Sequence, residues 1–276
     1  MSISAKDVKK LRDITGAGMM DCKKALAESN GDFDKAVEIL RKKGQKVSEK
    51  RADREANQGL VFTKVSEDGK QAAAIEINCE TDFVARNDDF QNQTRQFLDA
   101  AYQHETSTVE ELLKQKVGDL TINEHLKAMV GKIGEKIEIN RVIVAKTDGT
   151  FVEYVHPGNQ LCVLAEFEGE LKDAEIGKDI AMQIAAMNPI AVKREDVDDS
   201  VIQKELEIAK EQLINEGKPA EIAEKAAQGK LRRFYEERVL LEQKFVKDNG
   251  ISVQKYLEAN NAPLVSNFHR IQLGEG

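Results

Sequence analysis

Tryptophan is absent from this 276-residue sequence, and aromatic residues make up only 5% of it. A core must therefore be assembled from Ala, Val, Ile and Leu. No stretch approaches the roughly 18–20 consecutive apolar residues that a membrane helix needs, which excludes a membrane channel. The opening residues, MSISAKDVKKLRD, contain no apolar h-region, so no secretory signal is expected. The three cysteines, Cys22, Cys79 and Cys162, are odd in number, widely spaced and form no CxxC pair. A disulfide framework does not fit them; a reducing, cytoplasmic setting does.

The motifs of nucleotide and hydrolytic chemistry are missing too. Gly-Lys recurs at 69–70, 131–132, 177–178, 217–218 and 229–230 but is never followed by Ser or Thr, so there is no phosphate-cradling P-loop. GxGxxG, GxSxG and HExxH do not occur. His104, His125, His156 and His269 lie far apart and show no metal-ligand spacing. No enzyme activity, catalytic metal or cofactor is expected, and a binding or regulatory protein fits better.

What is present is a foldable, acidic chain. Hydrophobic residues are 41% and charged residues 33%, which excludes disorder and collagen. A chain of this size buries roughly three quarters of its unfolded surface. The net charge of −8 is uneven: residues 1–55 carry 14 Lys/Arg against 10 Asp/Glu, so the remainder is strongly acidic. That balance disfavours nucleic acid as a direct ligand.

Periodicity predicts an α+β fold. Residues 1–44 read as three short helices. Ser4 caps the first, Thr15-Gly16-Ala17-Gly18 breaks the chain, and Asp32 caps the third, on which Phe33, Val37 and Leu40 share a face. This is a bundle of ubiquitin-associated type. Residues 45–58, QKVSEKRADREANQ, read as a charged linker. From Gly59 the period shortens, with strands at 60–65 and 72–78 around an Asp68-Gly69 turn and helices at 88–102 and 122–131, the latter opened by a Thr121–Glu124 capping box. Strands follow at 141–146, 151–156 and 161–167, then a helix at 176–187. The order strand, acidic loop, helix occurs twice, which predicts two related α+β halves with antiparallel sheets, 59–140 and 141–192 with 248–276. Between their parts, 193–247 reads as an inserted antiparallel helical hairpin. Ser200 and Gln203 form its expected capping box, Ile202, Leu206, Ala209 and Leu213 its seam, and Gly217-Lys218-Pro219 its turn. Its second helix is expected at 220–247. The hairpin suits packing within one chain or a homodimer or 2:2 complex.

Two long segments carry a specific resemblance: LRDITGAGMMDCKKAL at 11–26 and NCETDFVARN at 78–87. Both resemble signatures of the bacterial elongation factor Ts family. Further matches stand in the family's order: KIGE at 132–135, YVH at 154–156, GKP at 217–219 and the ending GEG at 274–276. The resemblance implies a guanine-nucleotide exchange factor for the GTPase elongation factor Tu, with no membrane role. Arg12, Met19, Met20 and Lys23 resemble residues that touch the GTPase, with one Met of the pair expected inside the bundle. Thr81, Asp82, Phe83 and Val84 resemble the segment pushed in near the GTPase's magnesium, with Phe83 as a wedge. Ile133, Gly134 and His156 resemble further contacts, and Phe245 and Val246, at the hairpin's end, more loosely so. Some family members carry a C-terminal helix past Gly-Glu-Gly that is not expected here. Two rivals remain: an adaptor that binds through residues 1–44 alone, and an enzyme working through His156 or Glu80.

Overall fold

The computed structural model describes residues 3–275. Helices α1 (Ala5–Thr15), α2 (Met19–Glu28) and α3 (Phe33–Arg51) form the N-terminal bundle around Val8, Leu11, Cys22, Ala25, Leu26 and Ala36. Ser4 and Asp7 satisfy each other's backbone in a capping box, and Asp32 accepts from Lys35 N–H at 3.1 Å to start α3. Gly16 ends α1 in the left-handed region, φ 65°, where a side chain is strained.

The chain continues through β1 (Gln58–Val65), β2 (Gln71–Cys79), α4 (Asp82–Ala85), α5 (Asp88–His104), α6 (Val109–Leu112), β3 (Lys116–Val117), β4 (Leu120–Thr121), α7 (Ile122–Ile133) and β5 (Ile137–Lys146). Then come β6 (Thr150–Val155), β7 (Leu161–Phe167), α8 (Ala174–Met187), α9 (Asp199–Asn215), α10 (Ala220–Arg238), β8 (Lys244–Phe245), β9 (Asp248–Ser252), α11 (Val253–Ala259) and β10 (Val265–Gln272). Strands β1-β2-β5 form one antiparallel sheet and β10-β7-β6 another.

These two sheets pack face to face, and strand alternation sorts the side chains. Leu60, Phe62, Ala73, Ile75 and Ile77 face the layer that holds α5 and α7, whereas Val61, Ala72 and Ala74 face the other sheet. In β7, Val163, Ala165 and Phe167 face α8, while Cys162 and Leu164 turn to the first sheet. Both central strands are thus buried on both faces, which is why they read as near-continuous apolar runs. Glu76 falls on the sheet–sheet face and is wholly buried; Arg141 Nε stands 3.5 Å from its Oε2, and Asn140 Nδ2 and Gly274 N–H each donate to Oε1 at 3.3 Å.

Four sequence expectations need correction. The stretch 45–58 is not a tether to its start: α3 runs on to Arg51, because Val47 packs on the core and Gly44 lies against α7. That approach is close enough that a Cβ on Gly131 would stand 2.7 Å from Gly44 Cα. Second, a boundary at 140/141 cuts β5, whose residues Arg141 to Lys146 pair with Glu76 to Gln71 in the first sheet. Third, α10 stops at Arg238 rather than running to 247. Val239 turns extended and forms a parallel bridge with Ala191, Leu240 N–H donates to Ala191 O, and Leu240 and Leu241 are drawn into the second core. Fourth, Asp198, not Ser200, caps α9, accepting from Ser200 N–H. The seam itself closes inside the hairpin, with Ala209 and Leu213 against Ala223 and Ala227.

A candidate partner-binding surface

The TDFVARN segment leaves the end of β2 as the four-residue helix α4. Phe83 stands 80% exposed on it. An exposed ring cannot anchor itself, so its placement comes from the backbone around it. Thr81, at the N-cap, makes no side-chain bond to α4. Its hydroxyl donates instead to Glu135 Oε1 at 2.7 Å, and its N–H donates to Glu135 Oε2 at 3.0 Å. Cys79 Sγ–H donates to Thr81 O at 3.2 Å. Asp82 pairs with Arg86 one turn on, at 2.8 Å. Asn87 then caps α5, accepting from Asp89 and Phe90 N–H. Val84 is half-buried against the first core.

One residue earlier, Glu80 is fully committed. Arg51 Nη1 donates to both of its oxygens, at 2.9 and 3.0 Å, and Lys136 N–H donates at 2.6 Å. The Lys136 amide, followed by the Arg51 guanidinium, holds this carboxyl below its usual range. Burial, with Glu135 second, pushes the Cys79 thiol up to about 12. The end of α3 is therefore stapled to the base of the Phe83 helix.

Ile133 is the last residue of α7, and Gly134 caps that helix in the left-handed region, φ 82°. The chain reversal at Gly134 delivers Glu135 to Thr81. Thr81–Val84 and Ile133–Gly134 thus form one cluster, joined through Glu135. The α1–α2 loop approaches the same corner: a Cβ on Gly16 would lie 3.2 Å from Lys132 Nζ, which pairs with Asp89 at 2.9 Å. Between them lies a cleft of about 690 Å³ walled by Ile14, Ala17, Phe90 and Ile133. On the bundle, Met19 and Met20 are 45% and 63% exposed, so neither Met packs inside it, contrary to expectation. Cys22, Ala25 and Leu26 fill that space instead. Arg12 and Lys23 are exposed as well.

His156 is exposed at the β6–β7 turn, where its Nδ1 lies 2.9 Å from Tyr154 Oη. That turn belongs to the second sheet and is tied to the first, since Val61 N–H donates to Asn159 O at 2.7 Å. Phe245 does not serve as an exposed contact. It is 3% exposed and stacks on Tyr256 with centroids 4.0 Å apart, because β8 lies in the core and not at the end of a helix. Val246 beside it is exposed, with its N–H donated to Gln183 Oε1 at 2.8 Å.

The elongation factor TS family model matches residues 80–275. An elongation factor Ts from Amoebophilus asiaticus is 46% identical over 277 residues, spanning 99% of this chain and all of that protein. The chain belongs to the elongation factor Ts family. Its likeness to the elongation factor Ts of Christiangramia forsetii is also 46%, over 99% of both chains, and to that of Prosthecochloris aestuarii 44%, again over 99% of both. Membership sets the chain among translation elongation factors and extends the likeness through the N-terminal bundle, which the family model does not reach.

Within this family member, no three His, Cys, Asp or Glu side chains converge to hold a metal ion among the described residues. Nor is any described helix long and apolar enough to cross a membrane. Sequence reasoning gave no role to Arg51 or Glu135. Nothing local marks Arg51, whose partner lies 29 residues on. Glu135 carried two signals, its place in the KIGE match at 132–135 and an acid directly after the glycine that ends a helix, and neither gave it a role.

Proposed function

We propose that this chain is a guanine-nucleotide exchange factor for elongation factor Tu: it binds the GDP-loaded GTPase, disturbs its magnesium and phosphate site, and lets GDP leave. The observation that carries the reading is Phe83, an exposed aromatic ring on a short helix whose N-cap residue, Thr81, is held by three hydrogen bonds, two to Glu135 and one from Cys79. An exposed Phe costs a free protein solubility and returns nothing to its core; burial in a partner returns roughly 2–3 kcal/mol. Asp82 on the same helix brings a carboxylate to a site of phosphate and magnesium, where it favours loss of the anion. Exposed Met19 and Met20 offer an adaptable apolar contact, flanked by Arg12 and Lys23 for an acidic surface. His156 and the Ile133–Gly134 corner add contacts from the two halves.

No bond of the nucleotide is made or broken in this scheme, so the chain acts by binding alone. By linkage, GDP weakens factor binding by the ratio in which the factor weakens GDP binding. Glu80, one of the two residues through which an enzymatic reading would work, has both oxygens occupied by Arg51. The test is stopped-flow release of fluorescent GDP from elongation factor Tu with and without the folded protein. Strong acceleration is expected; unchanged release would refute the reading.

A further inference from the structure

Phe83 needs a mount, and the proposed exchange role sharpens that need, because a wedge acts only if it arrives in register. The ring has no cover of its own at 80% exposure, and α4 has too few turns to hold its direction alone. Thr81, the residue that should cap α4, gives both of its donors to Glu135 instead, at 2.7 and 3.0 Å. Glu135 comes from a different element, the turn that Gly134 forms between α7 and β5. One carboxylate therefore fixes the N-cap of α4 from outside by two hydrogen bonds, and charge on the acceptor strengthens both.

From this we infer that Glu135 is a positioning residue for exchange: it holds Thr81, and through Thr81 the direction in which Phe83 points. Glu135 acts on the partner only by way of α4. The inference rests on the exchange reading, and its chemistry is specific. It needs two hydrogen bonds to Thr81, one to the N–H and one to the hydroxyl, not a negative charge facing the partner. Gln satisfies that need, since its Oε1 accepts the Thr81 N–H and its amide donates to the hydroxyl oxygen, which turns its own proton away. Ala satisfies none of it.

The experiment measures GDP release from elongation factor Tu as a function of factor concentration, for wild type, E135Q, E135A, F83A and the double variant F83A/E135A. Misplacement of a reacting or wedging group by about 1 Å can cost on the order of a hundredfold. The maximal release rate of E135A is expected to fall roughly ten- to a hundredfold, in the range misplacement allows. Its half-saturating concentration should move far less, because the bundle and the second half still dock. E135Q should stay near wild type. The double variant should be no slower than F83A, since a mount without its wedge has nothing to place. Thermal melting of E135A at the wild-type temperature shows that the fold is intact. E135A as fast as an active wild type overturns the inference and leaves the exchange reading standing. So do equal losses in E135Q and E135A, or additive losses in the double variant. A wild type that fails to accelerate release overturns the exchange reading itself.

Discussion

Replacing Phe83 by Ala separates a partner wedge from a core residue, because the two roles predict opposite costs. The ring is 80% exposed, so the free protein has little to lose. Surface substitutions of this kind stay within about 0.5 kcal/mol. For a chain of this size that is roughly 1–2 °C in melting temperature. On the partner the balance reverses. Burying a Phe side chain is worth about 2 kcal/mol, and losing it corresponds to about thirtyfold in an equilibrium or rate constant. The assay pairs stopped-flow GDP release from elongation factor Tu with a thermal melt of the same sample. The expected result is release slowed about thirtyfold with the melt unchanged within error. A melting temperature lowered by more than about 5 °C would mean that the ring packs at home, since only a loss above roughly 1.5 kcal/mol does that. Release within twofold of wild type would refute the wedge.

Other predictions follow from packing and protonation. Gly131→Ala forces a methyl group against the Gly44 backbone, where a Cβ stands 2.7 Å from Gly44 Cα. Overpacking of this kind costs about 1–3 kcal/mol, to be read as a lower urea midpoint and faster tryptic cleavage after Arg51 and Arg54. Burial lowers the His269 pKa below its ordinary value of 6.5, and Glu166 opposes this only in part. The unfolded chain then binds more protons just below pH 6.5, so stability rises with pH there and is lost as the pH is lowered, and H269Q should flatten the urea midpoint between pH 7.5 and pH 5.5, a range set by that titration. Burial pushes the thiols of Cys79 and Cys162 up to about 12, and Cys22 is fully buried. An aromatic disulfide reagent at about pH 8 should find no reactive thiol in the native protein, while all three react in urea.

Local patterns in the sequence located most elements. Ser4, Asp32 and Thr121 cap the helices they were expected to cap, because a capping bond is made within three residues and is visible as a spacing. The strand β7 was expected at its observed bounds, since an unbroken apolar run between turn residues admits few readings. What was illegible depended on contacts distant in sequence. The end of α10 is set by Ala191, 48 residues before Val239, and no Gly or Pro announces it. The membership of β5 depends on a bulge opposite Glu76 and Ile77 that lets one strand serve its whole length. At the site, the resemblance supplied Thr81–Val84, and the exposure of Phe83 agrees with a part that meets something else. It supplied Phe245 as well, where the ring lies in the core on Tyr256. The clamp from Glu135 joins residues 54 apart, a pairing that no window of local sequence contains.

The exchange reading also sets how the work must be divided. Moving a two-state population by about 10⁴ requires roughly 5.5 kcal/mol of differential affinity. Phe83 supplies at most about 2–3 kcal/mol of that, so roughly 2.5 kcal/mol or more must come from surfaces elsewhere on the chain. Such surfaces add to one another only if they engage together, which needs a rigid frame between them. The frame is visible. Helix α3 runs unbroken from the bundle that bears Met19 and Met20 to Arg51, which grips Glu80 at the base of the wedge. Midway, Gly44 of α3 touches Gly131 of α7 backbone to backbone, and α7 ends at the turn that holds Thr81. A flexible tether at 45–58 would let the bundle dock without pressing on α4. On the exchange reading, a rigid strut would make binding energy at the methionines available to drive Phe83, and this is the physical reason that G131A should slow exchange as well as soften the fold.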